Sequence, residues 1–139
     1  MTTIDKEGCR EAYNEVRDDN TDTMWAAFTY EGFKIVPCQS VYSVCLFLPS
    51  DDSRLFGFVR IMMGDAMSKR AKFTLITWIG ENIGGLQRAK ISTDKAKVKE
   101  IVQNFAKEFM LSDQRELDED YIREELKKAG GANYDAQTE

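Results

Sequence analysis

The chain has 139 residues, 42% of them hydrophobic, and a formal net charge of −5. This length fits one domain with a single core, and the composition excludes a disordered chain. The acidic balance argues against nucleic acid and anionic membrane as partners. The complete lack of histidine excludes Ser-His-Asp and Cys-His catalysis within the chain.

The first part of the chain predicts one helix and one hairpin. Apolar side chains recur at i, i+3, i+4 and i+7 between residues 5 and 18, which indicates a helix, and Asp5 can cap its first turn. Residues 24–30 and 33–36 predict two strands joined by a tight turn that contains Gly32.

The middle of the chain predicts the centre of a sheet. Residues 54–63 and 72–79 are almost continuously apolar, a pattern typical of strands covered on both faces. The polar residues 64–71 between them predict a hairpin loop. The apolar run at residues 38–48 fits either a further strand or a short buried helix, because periodicity does not separate the two. We therefore expect an α+β domain with a central mixed sheet and helices on both faces.

A second helix is predicted to begin at Thr93 or Asp94, with a wide apolar stripe that extends to Phe109. Three lysines then fall in its first turns: Lys95, Lys97 and Lys99. Cations at this end oppose the helix dipole. A sequence selected only for stability would carry acids there, so these lysines indicate a binding role.

The remaining elements are short strands and a last helix. Residues 87–91 fit a short edge strand, and residues 108–112 fit a final strand. Residues 117–129 predict the last helix, which the pair Gly130-Gly131 ends. The domain then spans residues 1–131, and residues 132–139 form a flexible tail.

Charge is distributed unevenly along the chain. Residues 69–99, called the basic segment below, carry 8 basic and 2 acidic side chains, a net charge of +6, whereas the flanking segments are acidic. A cationic patch on an acidic body suits an acidic protein partner and salt-sensitive association. The candidate binding residues in it are Lys69, Arg70, Lys72, Arg88, Lys90, Lys95 and Lys97.

The sequence carries no Rossmann, Walker A, nucleophile-elbow or zincin motif. Cys9, Cys38 and Cys45 are odd in number and lack a C-x-x-C spacing, which indicates reduced thiols rather than disulfides or a zinc site. Cys9 lies on the apolar face of the first helix, so we expect a buried thiol there. With no apolar leader and no apolar run near ~20 residues, we expect a non-catalytic cytoplasmic protein without cofactor, metal or membrane span.

Several segments together resemble the coactosin-like proteins, a branch of the actin-depolymerising factor/cofilin homology family. The similarity covers nearly the whole chain except about residues 38–50, and the long C-terminal match is specific to this branch. The matching segments are Ile4–Glu7, Val16–Asp19, Gly64–Phe73, Leu75–Glu81, Gly85–Lys90, Gln103–Phe109 and Glu125–Glu139.

This resemblance implies a central mixed sheet with helices on both sides. It also implies binding to filamentous actin without the severing and depolymerising activity of cofilin, and no catalysis or cofactor. Lys72 matches the basic residue that coactosins use for actin. Coactosin-like proteins are also linked to 5-lipoxygenase as a chaperone or scaffold, and Lys128 matches the lysine associated with that contact. We expect a cytoskeleton-associated monomer.

One segment departs from the family pattern. The family is polar and partly helical after Pro37, whereas Cys38–Leu48 is apolar here and carries two additional cysteines. The second helix of the family and the packing of that face of the sheet therefore do not follow from the resemblance.

Overall fold

Six strands form one mixed sheet in the computed structural model, which describes residues 2–37, 51–64 and 70–137, the last nine as backbone only. The strands are β1 (Thr3–Ile4), β2 (Trp25–Glu31), β3 (Lys34–Pro37), β4 (Arg54–Met63), β5 (Arg70–Ile79) and β6 (Lys107–Leu111). Their order across the sheet is β1-β3-β2-β4-β5-β6. The outer pairs, β1 with β3 and β5 with β6, are parallel, and the inner pairs are antiparallel.

Helices cover both faces of this sheet, as the sequence predicted. The helices of the described residues are α1 (Lys6–Arg17), α2 (Gly85–Lys99) and α3 (Glu119–Gln137), with a 3-10 turn at Gln114–Glu116. Val16 of α1 and Val98 of α2 share one buried cluster, whereas Ile122 of α3 belongs to a second cluster. We call the two sides the α1/α2 face and the α3 face.

Strand β4 shows how the sequence produces this two-sided core. Its side chains alternate between the two faces, so that Phe56 and Phe58 pack beneath α1 and α2, while Leu55 and Val59 pack beneath α3. All four are buried. The nearly continuous apolar run therefore reflects burial on both faces.

Most of the predicted elements are confirmed. Helix α1 begins after Asp5, whose carboxylate accepts a hydrogen bond from the Gly8 amide at 3.1 Å. Strands β2 and β3 form the predicted antiparallel hairpin, with Gly32 at a φ of 66° in its turn. Strands β4, β5 and β6 lie within two residues of their predicted bounds. Strand β1 was not predicted, because two residues are too short to show a periodicity.

Helix α2 corrects two predictions. The edge strand predicted at residues 87–91 is wrong, because these residues form the first half of α2, which begins after Gly84 and not at Thr93 or Asp94. The buried residues Ile91, Asp94 and Val98 recur at i, i+3 and i+7 on one side of the helix. The helix ends at Lys99, well before Phe109, because Lys107–Leu111 pairs in parallel with β5.

The dipole argument changes with this new helix start. Lys97 and Lys99 occupy the last turn of α2, and Lys95 lies one turn earlier. Cations near the C-terminus of a helix are favourable. The prediction that these lysines oppose the helix dipole is therefore wrong, and a binding role has to rest on their contacts.

Helix α3 extends further than predicted. It starts next to Asp118, whose carboxylate accepts a hydrogen bond from the Tyr121 amide at 3.0 Å, and it continues to Gln137. The prediction that Gly130-Gly131 ends this helix is wrong. A glycine costs a helix about 1 kcal/mol relative to alanine but keeps its amide donor, so the helix can continue through the pair. The boundary at residue 131 and the flexibility of residues 132–139 stay predictions.

Two other predictions concern residues that the structure does not describe. They are the strand or helix at residues 38–48 and most of the loop at residues 64–71. Within the described ranges, no helix combines the length and the apolar character that crossing a membrane requires.

Candidate binding surface

Helix α2 carries most of the candidate cations, and a buried polar cluster fixes its rotation on the sheet. Asp94 of α2 is 2% exposed and accepts a hydrogen bond from the Tyr30 hydroxyl at 2.7 Å. The Arg54 guanidinium lies 3.7 Å from the centre of the Tyr30 ring and 3.9 Å from the Asp94 carboxylate. Burial and the hydrogen bond to Asp94 raise the pKa of Tyr30, so the hydroxyl stays a donor.

One flank of α2 presents a row of side chains that we call the α2 ridge, consisting of the exposed Leu86 and Lys90 and the half-buried Lys97. Lys90 and Lys97 are seven residues apart and therefore lie on the same side of the helix. Leu86 lies one turn before Lys90 and is 74% exposed. Within the described ranges, neither lysine has a hydrogen bond or an ion pair. As far as the described residues go, both charges are therefore free to meet a partner.

The other cations of α2 already have partners in the chain. Arg88 donates to the carbonyls of Gly80 and Ile83 at 3.4 and 3.3 Å, which ties the start of the helix to the preceding loop. Lys95 and Lys99 both contact the Glu108 carboxylate of β6 at 2.8 Å. The two lysines lower the pKa of Glu108, so that the carboxylate is ionised at neutral pH.

The start of β5 supplies the remaining described candidates. Arg70 is exposed, and Lys72 is half-buried without an ion pair in the part of the chain that the structure describes. Lys72 lines an open groove with Arg17 and with residues 103–106, which follow α2. It therefore lies at the same end of the sheet as the last turn of α2. Lys69 is outside the described residues.

The two sets of cations lie on different faces of the sheet. Leu75 of β5 belongs to the α1/α2 cluster and Ile76 to the α3 cluster, so alternation directs Lys72 toward the α3 face. The basic segment is thus divided into the unpaired α2 ridge, the partnered cations of α2 and the cations at the start of β5.

Sequence reasoning missed two residues of this surface. The exposed Leu86 would have been found if α2 had been placed from Gly85 onward. Glu108 carried no such signal, because its partner Lys99 is nine residues away in a different element. Its effect on the basic segment depends on the parallel pairing of β6 with β5.

The predicted lipoxygenase contact lies on α3. Lys128 is 73% exposed and forms an ion pair with Glu125 at 3.3 Å, one turn away. Its neighbour Lys127 pairs with Glu124 at 3.6 Å. Unlike the lysines of the α2 ridge, both lysines of this helix have local acidic partners.

The described residues include no reactive thiol and no cluster of metal-binding side chains. Cys9 is buried, as predicted, and burial raises the pKa of its thiol to about 12. The thiol therefore stays protonated at neutral pH and is a poor nucleophile. Cys38 and Cys45 lie outside the described residues. Within the described ranges, no group of three acidic or cysteine side chains is arranged to hold a metal ion.

Comparison with known proteins gives a consistent picture. Residues 1–127 match the family described as cofilin/tropomyosin-type actin-binding protein. Human coactosin-like protein is 64% identical over 140 aligned positions, which cover 99% of both chains. A crystal structure of human coactosin-like protein superposes with a TM-score of 0.88 at 60% identity, covering 92% of this chain and 99% of that one. The solution structure of mouse coactosin, described as an actin filament binding protein, gives a TM-score of 0.79 at 63% identity and covers 99% of both chains.

Proposed function

The chain belongs to the coactosin-like proteins of the cofilin/tropomyosin-type actin-binding family, and on that premise we propose that it binds filamentous actin through a basic surface. The α2 ridge is one part of this surface, and Lys72 with Arg70 at the start of β5 forms the second, to which Lys69 is assigned from the sequence alone. Binding leaves the filament intact, without severing or depolymerising it. The protein is then a cytoplasmic, cytoskeleton-associated monomer that regulates or adapts filaments and performs no catalysis.

The observation that supports the proposal is the pair of unpaired lysines on the α2 ridge. A cation without an internal partner loses no ion pair when it meets a carboxylate on another protein. Lys90 and Lys97 meet this condition within the described residues, whereas Lys95 does not. Leu86 adds an exposed apolar side chain to the same row. Leu86 stands at the N-terminal end of this row, and apolar contacts combined with charged ones are the usual composition of a protein interface.

The test is co-sedimentation of the protein with actin filaments over a range of salt concentrations. The double variant Lys90→Ala/Lys97→Ala should bind about five- to tenfold more weakly, because an exposed cation contributes at most about 1 kcal/mol. Lys72→Ala should weaken binding by a smaller factor. The differences should shrink as salt is raised, since screening acts on exposed charges.

The double variant Lys127→Ala/Lys128→Ala is the matched control, because it removes the same charge from α3 and should leave filament binding unchanged. Equal losses in both double variants would mean that net charge alone determines binding, which contradicts the proposed surface. Filament length, measured by microscopy, and the unsedimented actin fraction test the second part of the proposal. A shortened filament or a rising soluble fraction would contradict it.

A second candidate function is a scaffold for 5-lipoxygenase, centred on Lys128. It is favoured by the 73% exposure of this lysine and by the family resemblance. Lys128 lies on α3, on the other face of the sheet from the α2 ridge, so filament and enzyme should bind together if actin uses the ridge alone. Displacement of the enzyme by saturating actin would instead indicate that the filament contact reaches the α3 face, where Lys72 points.

A further inference from the structure

One carboxylate holds two lysines of α2 at the edge of the sheet. Glu108 of β6 contacts the Lys95 ammonium through one oxygen and the Lys99 ammonium through the other, each at 2.8 Å. The side chains are 30%, 22% and 41% exposed, respectively. The same two contacts lower the pKa of Glu108, so both ion pairs are present at neutral pH.

The position of Glu108 divides the cations of α2 into two groups. At 100° per residue, Lys95 and Lys99 lie on the side of α2 that faces β6, whereas Lys90 and Lys97 lie on the opposite side. The side with Lys95 and Lys99 and the side with Lys90 and Lys97 both lie next to the solvent-exposed surface of the helix. Four lysines could therefore reach a partner laid along α2, but Glu108 competes for two of them.

We infer that Glu108 is a residue that sets affinity and selectivity, because it withholds Lys95 and Lys99 from acidic partners and leaves the α2 ridge to make the filament contact. This inference rests on the proposed binding to filamentous actin. Partly exposed ion pairs are weak, so Glu108 holds the two lysines only moderately. A partner that binds tightly through other contacts can displace Glu108, and a weakly binding partner cannot. Glu108 thereby discriminates against polyanions that do not also engage the ridge.

A purely structural role for Glu108 makes a different prediction. Strand β6 is held by its pairing with β5 and by the buried side chains of Phe109 and Leu111. The strand should therefore stay in place when the carboxylate is replaced. If Glu108 mattered mainly for the fold, its removal would weaken filament binding, whereas the inferred role requires stronger binding.

The experiment uses the full chain with Glu108→Gln and measures co-sedimentation with actin filaments at several salt concentrations. We expect about three- to tenfold tighter binding at low salt, with a steeper salt dependence that converges with the wild type at high salt. Retention on a heparin column should increase as well, because heparin is a polyanion without the surface that the ridge would recognise. Glu125→Gln on α3 is the matched control, since it makes the same charge change and releases Lys128; it should not alter filament binding.

A second set of variants separates released lysines from net charge. Lys95→Ala/Lys99→Ala should bind filaments within about twofold of the wild type, because these lysines are already occupied. Adding Glu108→Gln to that pair should bring no gain. Unchanged or weaker binding by a folded Glu108→Gln protein, or a gain that persists without the two lysines, would overturn the inference. Neither result touches the proposed filament binding, which is tested separately by the binding of the wild type and of the α2 ridge variant.

Discussion

The two faces of the sheet are attached to their helices by different interactions, although β4 contributes alternate residues to both. On the α3 face β4 presents Leu55, Gly57, Val59 and Ile61, all of them buried and apolar. On the α1/α2 face it presents two phenylalanines flanked by Arg54 and Arg60. Arg54 contacts Asp94 of α2, and Arg60 donates to the carbonyls of Val16 and Asp18 at the end of α1 at 2.6 and 2.8 Å.

The difference shows how one strand can hold the two helices of one face, α1 and α2, in a defined orientation: its arginines add directional polar contacts to the apolar ones. The hydrophobic effect is non-directional, so apolar burial leaves the rotation of a helix to the fit of its side chains. A buried charge has to keep its partner, because an unpaired one is strongly destabilising. The face with the Arg54–Asp94 ion pair is also the face that carries the α2 ridge, where the direction of the lysines matters for binding.

The largest expected effect comes from removing the buried carboxylate of α2. Asp94→Ala should lower the free energy of unfolding by about 3 kcal/mol, because it leaves the Arg54 charge and the Tyr30 hydroxyl without their partner. Chemical denaturation followed by circular dichroism measures this change. Asp94→Asn keeps an acceptor for Tyr30 and should cost clearly less. A loss below about 1 kcal/mol for the alanine variant would mean that α2 is held by apolar packing, as α3 is.

A smaller effect is expected at the other arginine of the α1/α2 face. Arg60→Met keeps most of the buried stem but removes two hydrogen bonds to the end of α1, and should cost about 2 kcal/mol of unfolding free energy. Arg123→Met is the control on α3, where the guanidinium is 27% exposed and contacts Glu119 and the Met62 carbonyl. We expect it to cost less than about 1 kcal/mol, since ion pairs near solvent contribute little. Equal losses of unfolding free energy in Arg60→Met and Arg123→Met would mean that polar contacts matter equally on the two faces of the sheet.

The sequence predicted the apolar framework more completely than these polar contacts. Burial on both sides of β4 followed from its continuous apolar run, and Lys90 and Lys97 were among the predicted cations. Arg54 and Arg60 gave no signal, because a charged residue at the start of an apolar strand, or a single one within it, is equally consistent with a side chain that points to solvent. Asp94 was predicted as a helix cap, since its burial depends on where α2 begins, and that start is determined by packing against the sheet.

For the same reason, the sequence predicted which cations belong to the basic segment but not which of them are paired within the fold. Local sequence places a lysine on a helix, but its pairing with Glu108 arises only after β6 has joined the sheet. The charge of the basic segment is therefore a property of the sequence, whereas the charge that it presents to a partner is a property of the fold.

The smallest predicted effect is a gain in stability on the α3 face. Gly57 lines a small apolar cavity together with Trp25, Trp78 and Leu117. A methyl group added there would lie 3.9 Å from the Ala26 carbonyl oxygen and 4.0 Å from the Ile76 Cβ, which are ordinary contact distances. Gly57→Ala should therefore raise the free energy of unfolding by about 0.5–1 kcal/mol, through lower chain entropy in the unfolded state and better filling of the cavity.

Gly80→Ala provides the opposite control for this prediction. A Cβ at Gly80 would overlap the backbone of Asp51, so this substitution should lower the melting temperature, whereas Gly57→Ala should raise it. If Gly57→Ala lowered the melting temperature too, the α3 face would be packed without spare volume. Apolar packing would then fix α3 as tightly as the Arg54–Asp94 ion pair fixes α2, and the contrast between the two faces would concern only the chemistry of their contacts.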